Sequence, residues 1–202
     1  MSEVMILQTG LANMASVQAA FKRLGQELRW TTDPREVSQA DRVVLPGVGA
    51  FGPAMGRLIE LGLVEAIQAR IEEGRPTLAI CLGLQLLAEE SEESPGAKGL
   101  GCYEGKVESF PDELIVPQLG WNRIEADPGC SFLESGFVYY ANSYRLSKAP
   151  KGWLQAQSFY GSRFIGALER GDVLACQFHP ELSGKLGSTI LQRWLEKGGA
   201  TC

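Results

Sequence analysis

One imidazole serves the whole chain: His179, in the run Cys176-Gln-Phe-His-Pro-Glu181. A histidine ordinarily titrates near pH 6.5, so imidazole chemistry at neutral pH must use this residue. The second reactive type is cysteine. Cys81 lies in Thr77-Leu-Ala-Ile-Cys-Leu-Gly-Leu-Gln85, where an apolar run gives way to a pattern that reads as a helix. One cysteine at a strand-to-helix turn and one distant histidine suggest a nucleophile and its base, brought together by the fold. Taken singly, each has a plainer reading, as a core cysteine or as a histidine near a turn.

The residues around Cys81 fit the order small-x-nucleophile-x-Gly, with Ala79 and Gly83 in the small positions. Small side chains are needed where a strand turns sharply into a helix and the two pass close together. Such a turn would lift the thiol above the sheet edge, at a helix N-terminus whose N–H groups favour a thiolate. The N–H of Leu82 would be an oxyanion donor. A second glycine-rich stretch, Pro46-Gly-Val-Gly49, ends the apolar run before it and would offer a second donor, from Val48 or Gly49. After His179, Pro180 fixes the chain direction and Glu181 can turn back, accept one ring N–H and aim the other nitrogen at Cys81. Cys176 and His179 have a C-x-x-H spacing with Glu181 nearby, but no second ligand cluster completes a metal site. Cys176 reads as a buried strand residue.

These groups need a scaffold. The 202 residues suit one domain, 1–202, and 45% apolar with 21% charged residues is a globular composition. A net charge of −5 without a basic cluster argues against nucleic acid. The start, Met1-Ser-Glu-Val-Met-Ile-Leu7, is not a signal peptide, and no apolar stretch reaches the ~18 residues of a membrane helix. A cytoplasmic protein is expected. Five cysteines without a C-x-x-C pair do not suggest a disulfide framework.

The first half alternates strands (4–8, 27–31, 42–45, 77–80) with helices (14–24, 53–61, 63–73, 84–90), which predicts a mainly parallel sheet flanked by helices. Residues 91–101 read as a polar surface loop. Strand-like runs at 103–110, 120–126, 137–146, 154–159, 164–168 and 173–178 would extend the sheet antiparallel. A last helix, 186–197, carries Ile190, Leu191, Trp194 and Leu195 on one face.

The three pieces P-G-V-G, C-L-G-L-Q and F-H-P-E, in this order, resemble class I (triad-type) glutamine amidotransferases over essentially the whole chain. Within that family, residues 9–13 with Ser16-Val17, Pro46-Gly-Val-Gly-Ala-Phe51, Pro117-Gln-Leu-Gly-Trp-Asn122 and Asn142-Ser-Tyr144 are similar to one branch. Its members are glutaminase subunits that feed ammonia to a (β/α)₈-barrel cyclase in histidine biosynthesis. The resemblance implies a flavodoxin-like α/β fold, no cofactor, and a heterodimer with that cyclase subunit. It implies that Cys81 attacks the side-chain amide of glutamine, that His179 moves the proton, and that Glu181 orients the imidazole. It also implies that Gln85, Ser143 and Tyr144 hold the substrate. The family more often has His at positions 118 and 142, Gly at 79 and Lys at 182, where this chain has Gln118, Asn142, Ala79 and Leu182. A stand-alone cysteine hydrolase would use the same Cys81–His179 pair. A redox-sensing protein with a merely reactive Cys81 would consume thiol reagents and release no ammonia.

Overall fold

A computed structural model describes residues 3–8 and 14–197. The resemblance at residues 9–13 therefore lies outside the described residues. The first strand, β1 (Val4–Leu7), is paired in parallel with β2 (Leu28–Thr31) on one side and with β3 (Arg42–Leu45) on the other. Beyond β3 come β4 (Thr77–Ile80) and then β12 (Val173–Cys176), again parallel. β1, β3, β4 and β12 each have four residues, all buried, as expected of strands covered on both faces.

One face is covered by α1 (Met14–Arg23) and α6 (Gly184–Lys197), whose Phe21, Ile190, Leu191 and Trp194 share a core with β1 and β4. The other is covered by α3 (Phe51–Glu60) and α4 (Val64–Glu72), through Phe51, Leu58, Ile67 and Ile71. A short helix that periodicity did not predict, α2 (Pro34–Gln39), starts at Asp33, whose side chain accepts from the N–H of Arg35.

From β12 the sheet continues antiparallel through β11 (Ser162–Arg170), β10 (Leu154–Tyr160), β7 (Gln118–Ala126) and β8 (Gly136–Asn142), giving nine strands. The expected extension is therefore present. Two expected strand runs, 103–110 and 137–146, depart from the expected pattern, and so does one expected helix; the strand within 103–110 lies in a separate small sheet. The run at 137–146 is interrupted at Ser143, and its end, β9 (Tyr144–Leu146), pairs instead with β6 (Lys106–Ser109) and, through it, with β5 (Glu90–Ser91) in that small sheet. The helix expected at 84–90 is α5 (Leu82–Leu86), earlier and only five residues long. The five-residue span leaves little macrodipole, so any stabilisation of a thiolate there comes from individual N–H groups.

Candidate active site

Cys81 lies between β4 and α5 with φ 54° and ψ −108°, the only non-glycine at positive φ among the described residues. Such a conformation costs on the order of 1–3 kcal/mol and persists only where the surroundings impose it. They do so here. The Cys81 N–H donates to the Cys176 carbonyl at 2.7 Å, and the Cys81 carbonyl accepts from Leu84 at 3.0 Å. A Cβ at Gly83 would sit 2.3 Å from the Leu45 carbonyl oxygen, so a larger residue could not let α5 start against the end of β3.

The Pro46–Gly49 loop rests on that first turn. Gly47 serves close approach, since a Cβ there would lie 2.7 Å from the Leu82 Cβ and 2.8 Å from the Gly83 nitrogen. Gly49, at φ +104° with open space around it, serves conformation instead. The Leu82 N–H, expected to face an oxyanion, points at the Gly47 carbonyl at 3.4 Å. Because a trans peptide holds its C=O and N–H in opposite directions, the Val48 N–H faces away from Leu82. The two expected donors are near each other, and the Gly47 oxygen stands between them.

Beyond this loop, Ala50 offers no side-chain cap to α3. Glu93 supplies one from the loop after β5, its carboxylate accepting from the Phe51 N–H at 2.7 Å, and the Ser94 hydroxyl accepts from Gly52 at 2.9 Å.

His179 follows β12, next to β4, and its ring Nδ1 lies 2.8 Å from Glu181 Oε1. A carboxylate can only accept, so Nδ1 carries the proton and Nε2 is left for Cys81. Glu181 sits in a one-turn 3₁₀ segment, Pro180–Leu182. Ser183 ties that turn to β8: its hydroxyl donates to the His179 carbonyl at 2.6 Å and accepts from the Tyr139 N–H at 2.9 Å. The Tyr139 carbonyl in turn accepts from the His179 N–H at 2.9 Å. Burial opposes charge on the ring, but hydrogen bonds to Cys81 and Glu181 outweigh it and raise the His179 pKa above its ordinary 6.5. Burial, then the nearby Glu181 and Glu169 charges, push the Cys176 thiol well above its usual value, as suits a buried strand residue.

A cavity of about 420 Å³ is lined by Cys81, His179, Glu181, Leu82, Val48, Gly49, Gln85, Ser143 and Tyr144, the nine residues singled out from sequence. Glu93, Ala141, Asn142 and Leu182 complete it. Glu93 escaped notice because an acidic residue in a polar loop usually faces solvent. A buried residue beside the cavity was also missed: Gln177, whose amide lies 3.8 Å from Cys81 Sγ. Its signal was present, a single amide inside the otherwise apolar run 173–178.

A strained cysteine, a histidine backed by a carboxylate and a glycine-rich loop above them, on a parallel sheet, are the parts that thiol amidohydrolase chemistry needs. The chain belongs to the class I glutamine amidotransferases: the family model described as "Glutamine amidotransferase class-I" matches residues 10–197. It is 42% identical over 202 residues to the imidazole glycerol phosphate synthase subunit HisH of Syntrophotalea carbinolica, covering 95% of this chain and 98% of that one. It is 41% identical over 201 residues to the chloroplastic imidazole glycerol phosphate synthase hisHF of Arabidopsis thaliana, covering 96% of this chain but only 34% of that longer protein. A solved glutamine amidotransferase superposes with a TM-score of 0.77 at 23% identity, over 97% of this chain and 98% of that one, a likeness of fold.

Proposed function

We propose that this chain is the single-domain glutaminase subunit of imidazole glycerol phosphate synthase, working in the cytoplasm as a heterodimer with the (β/α)₈-barrel cyclase. The observation that carries the reading is the Cys81, His179 and Glu181 constellation in one cavity. Cys81 attacks the side-chain amide carbon of glutamine. The protonated His179 gives its Nε2 proton to the departing nitrogen, and ammonia leaves. Water, deprotonated by the now neutral ring, hydrolyses the glutamyl thioester to glutamate and the free thiol. Glu181 keeps the imidazole in one tautomer and supports its charge, with Oε1 on the ring and a buried Oε2 that has no hydrogen-bond partner among the described residues. Gln85, Ser143 and Tyr144 hold the substrate. Glu93, the one carboxylate besides Glu181 that lines the cavity among the described residues, suits the substrate's ammonium group.

Transfer of ammonia to a cyclase is supported by the relatives' names, the Arabidopsis relative being named hisHF and far longer than this chain. It is also supported by an uncovered apolar face at the cavity mouth. Leu119, Trp121 and Phe137 are exposed on β7 and β8, and Trp121 comes near Gly184, two residues after the cavity-lining Leu182. With Leu rather than Lys at 182, this edge of the cavity carries no charge from that position. The cyclase would use the ammonia to form imidazole glycerol phosphate and an aminoimidazole carboxamide ribotide.

The loop orientation fits a silent subunit awaiting its partner. Rotation of the Gly47–Val48 peptide would withdraw the carbonyl from Leu82 and turn the Val48 N–H inward, completing the oxyanion hole; one such donor is worth about 10²–10³ in turnover. Gly49→Ala tests this, because only backbone conformation is penalised there, whereas Gly47→Ala would collide with Leu82. Partner-stimulated turnover at the wild-type level in Gly49→Ala would show that the switch does not need the positive φ at Gly49.

The direct experiment is release of glutamate and ammonia from glutamine by the purified chain, with and without the cyclase and its ligand. Stimulation by the cyclase is expected. No release under either condition, or peptide cleavage independent of the partner, would overturn the reading.

A further inference from the structure

Gln177 is fully buried, and the mechanism above leaves it without a task. Its orientation follows from a backbone group. The Tyr144 carbonyl can only accept, so the Gln85 amide atom 3.1 Å from it must be the nitrogen, Nε2. That same nitrogen donates to Gln177 at 3.0 Å, which makes the receiving atom Oε1. The other end of the Gln177 amide is then Nε2, and it faces Cys81 Sγ at 3.8 Å. Amide direction, ordinarily ambiguous, is set here by a chain of three hydrogen bonds that begins at main chain.

The sulfur also lies 4.0 Å from the Ala141 carbonyl oxygen. The two neighbours prefer opposite charge states. The carbonyl can accept an S–H and repels a thiolate, whereas the amide N–H favours the thiolate.

We propose that Gln177 is a positioning residue for the nucleophile: its amide N–H holds the Cys81 thiolate, and Gln85 locks that amide in place. This rests on the reading of Cys81 as nucleophile. The ionisable groups sharing the cavity with the sulfur are His179 and Glu181 of the turn after β12, Glu93 of the loop after β5, and Tyr144 of β9. His179 and Gln177 leave the same strand end two residues apart, so the thiolate is held by an imidazolium and by a neutral amide. The amide, being neutral, donates to the resting thiolate whatever the charge on the ring.

The test is the pH dependence of iodoacetamide labelling at Cys81 in the intact chain, followed by mass spectrometry of the peptide that carries it. Gln177→Met keeps the length and cannot donate. Near neutral pH its labelling should fall about tenfold below wild type, and in alkali, where a thiolate forms without help from a donor, the two rates should converge. Gln177→Glu places an acceptor beside the sulfur and should fall further. Gln85→Leu removes the lock but leaves the donor, and should fall in the same direction by less; it carries the test if the Gln177 variants do not fold. Wild-type labelling at all pH values would overturn the proposal, as would an equal fall at every pH, which is the mark of altered access. Failure of the glutaminase reading is separate: wild type would then release no ammonia, while the labelling profile still responded to Gln177.

Discussion

The two halves of the central sheet obey different rules. β1, β3, β4 and β12 are four residues long and buried at every position. β7 and β8 are nine and seven residues long, and on β7 the odd-numbered side chains are exposed: Leu119, Trp121, Arg123 and Glu125. Cys81 and His179 both leave the first half, from adjacent strands whose register sets Ile80 opposite Cys176. A site that depends on sub-ångström placement is anchored where packing leaves no slack. The second half closes the cavity with Ala141 and Asn142 and keeps a bare apolar face. If the proposed cyclase docks on that face, reactivity and docking are separable, and substitutions in each half should have distinct signatures.

The largest effect is expected at Cys81. Cys81→Ala should abolish ammonia release from glutamine, measured with the cyclase present, because no thiolate remains to attack. Cys81→Gly should be equally inactive yet at least as stable as Cys81→Ala in urea unfolding, since glycine tolerates φ 54° at little steric cost. A less stable glycine variant would mean that the elbow is not strained. Next comes His179→Asn, with a loss of roughly 10² or more in turnover. Glu181→Gln should be milder, because the ring remains and loses only its orienting charge. A greater loss at Glu181 than at His179 would reverse the assigned roles.

His179 also makes the first half sensitive to pH. A histidine whose pKa is raised on folding contributes stability that is complete below its unfolded value, near 6.5, and is lost as pH rises toward the folded value, about 10. Wild type should therefore lose stability relative to His179→Asn as pH increases across that window, as read from urea midpoints. A constant difference between the two would mean that the imidazole gains no proton affinity on folding.

The same division explains what the sequence reveals. The strands 42–45 and 77–80 agree with the structure residue for residue, because each is three apolar residues behind one polar residue, Arg42 or Thr77, with a proline at one end, Pro46 or Pro76. The elbow and the His-Pro-Glu turn are legible for a related reason: steric limits force particular residue types, as the 2.3 Å approach at Gly83 illustrates. Hydrogen-bond direction is less visible. Nothing local tells that the Gly47 carbonyl occupies Leu82, or that Glu93 from a polar loop caps α3. Six-residue α2 is too short for periodicity, although Asp33-Pro34 is a start signal. The break at Ser143, which sends Tyr144–Leu146 to another sheet, is written in pairing partners far along the chain.

The smallest effect on chemistry, and the sharpest test of the division, is expected at Trp121. The indole is 57% exposed and meets Tyr139 edge-on, at 6.1 Å between ring centroids. It contributes no atom to the cavity lining. Large exposed aromatics on an otherwise uncovered face are the residue type that dominates binding when a partner buries them, at 2 kcal/mol or more for a central one. Trp121→Ala should leave iodoacetamide labelling of Cys81 in the free subunit unchanged. The same change should weaken association with the cyclase by about 30-fold or more, measured by calorimetry. At saturating cyclase, turnover should return to near the wild-type level, because the stimulated state is reached once the complex forms. Unchanged affinity would move the docking face away from β7 and β8. Restored affinity with turnover still depressed would mean that the indole acts on the Gly47–Val48 peptide itself, and the two halves would then be coupled through this residue.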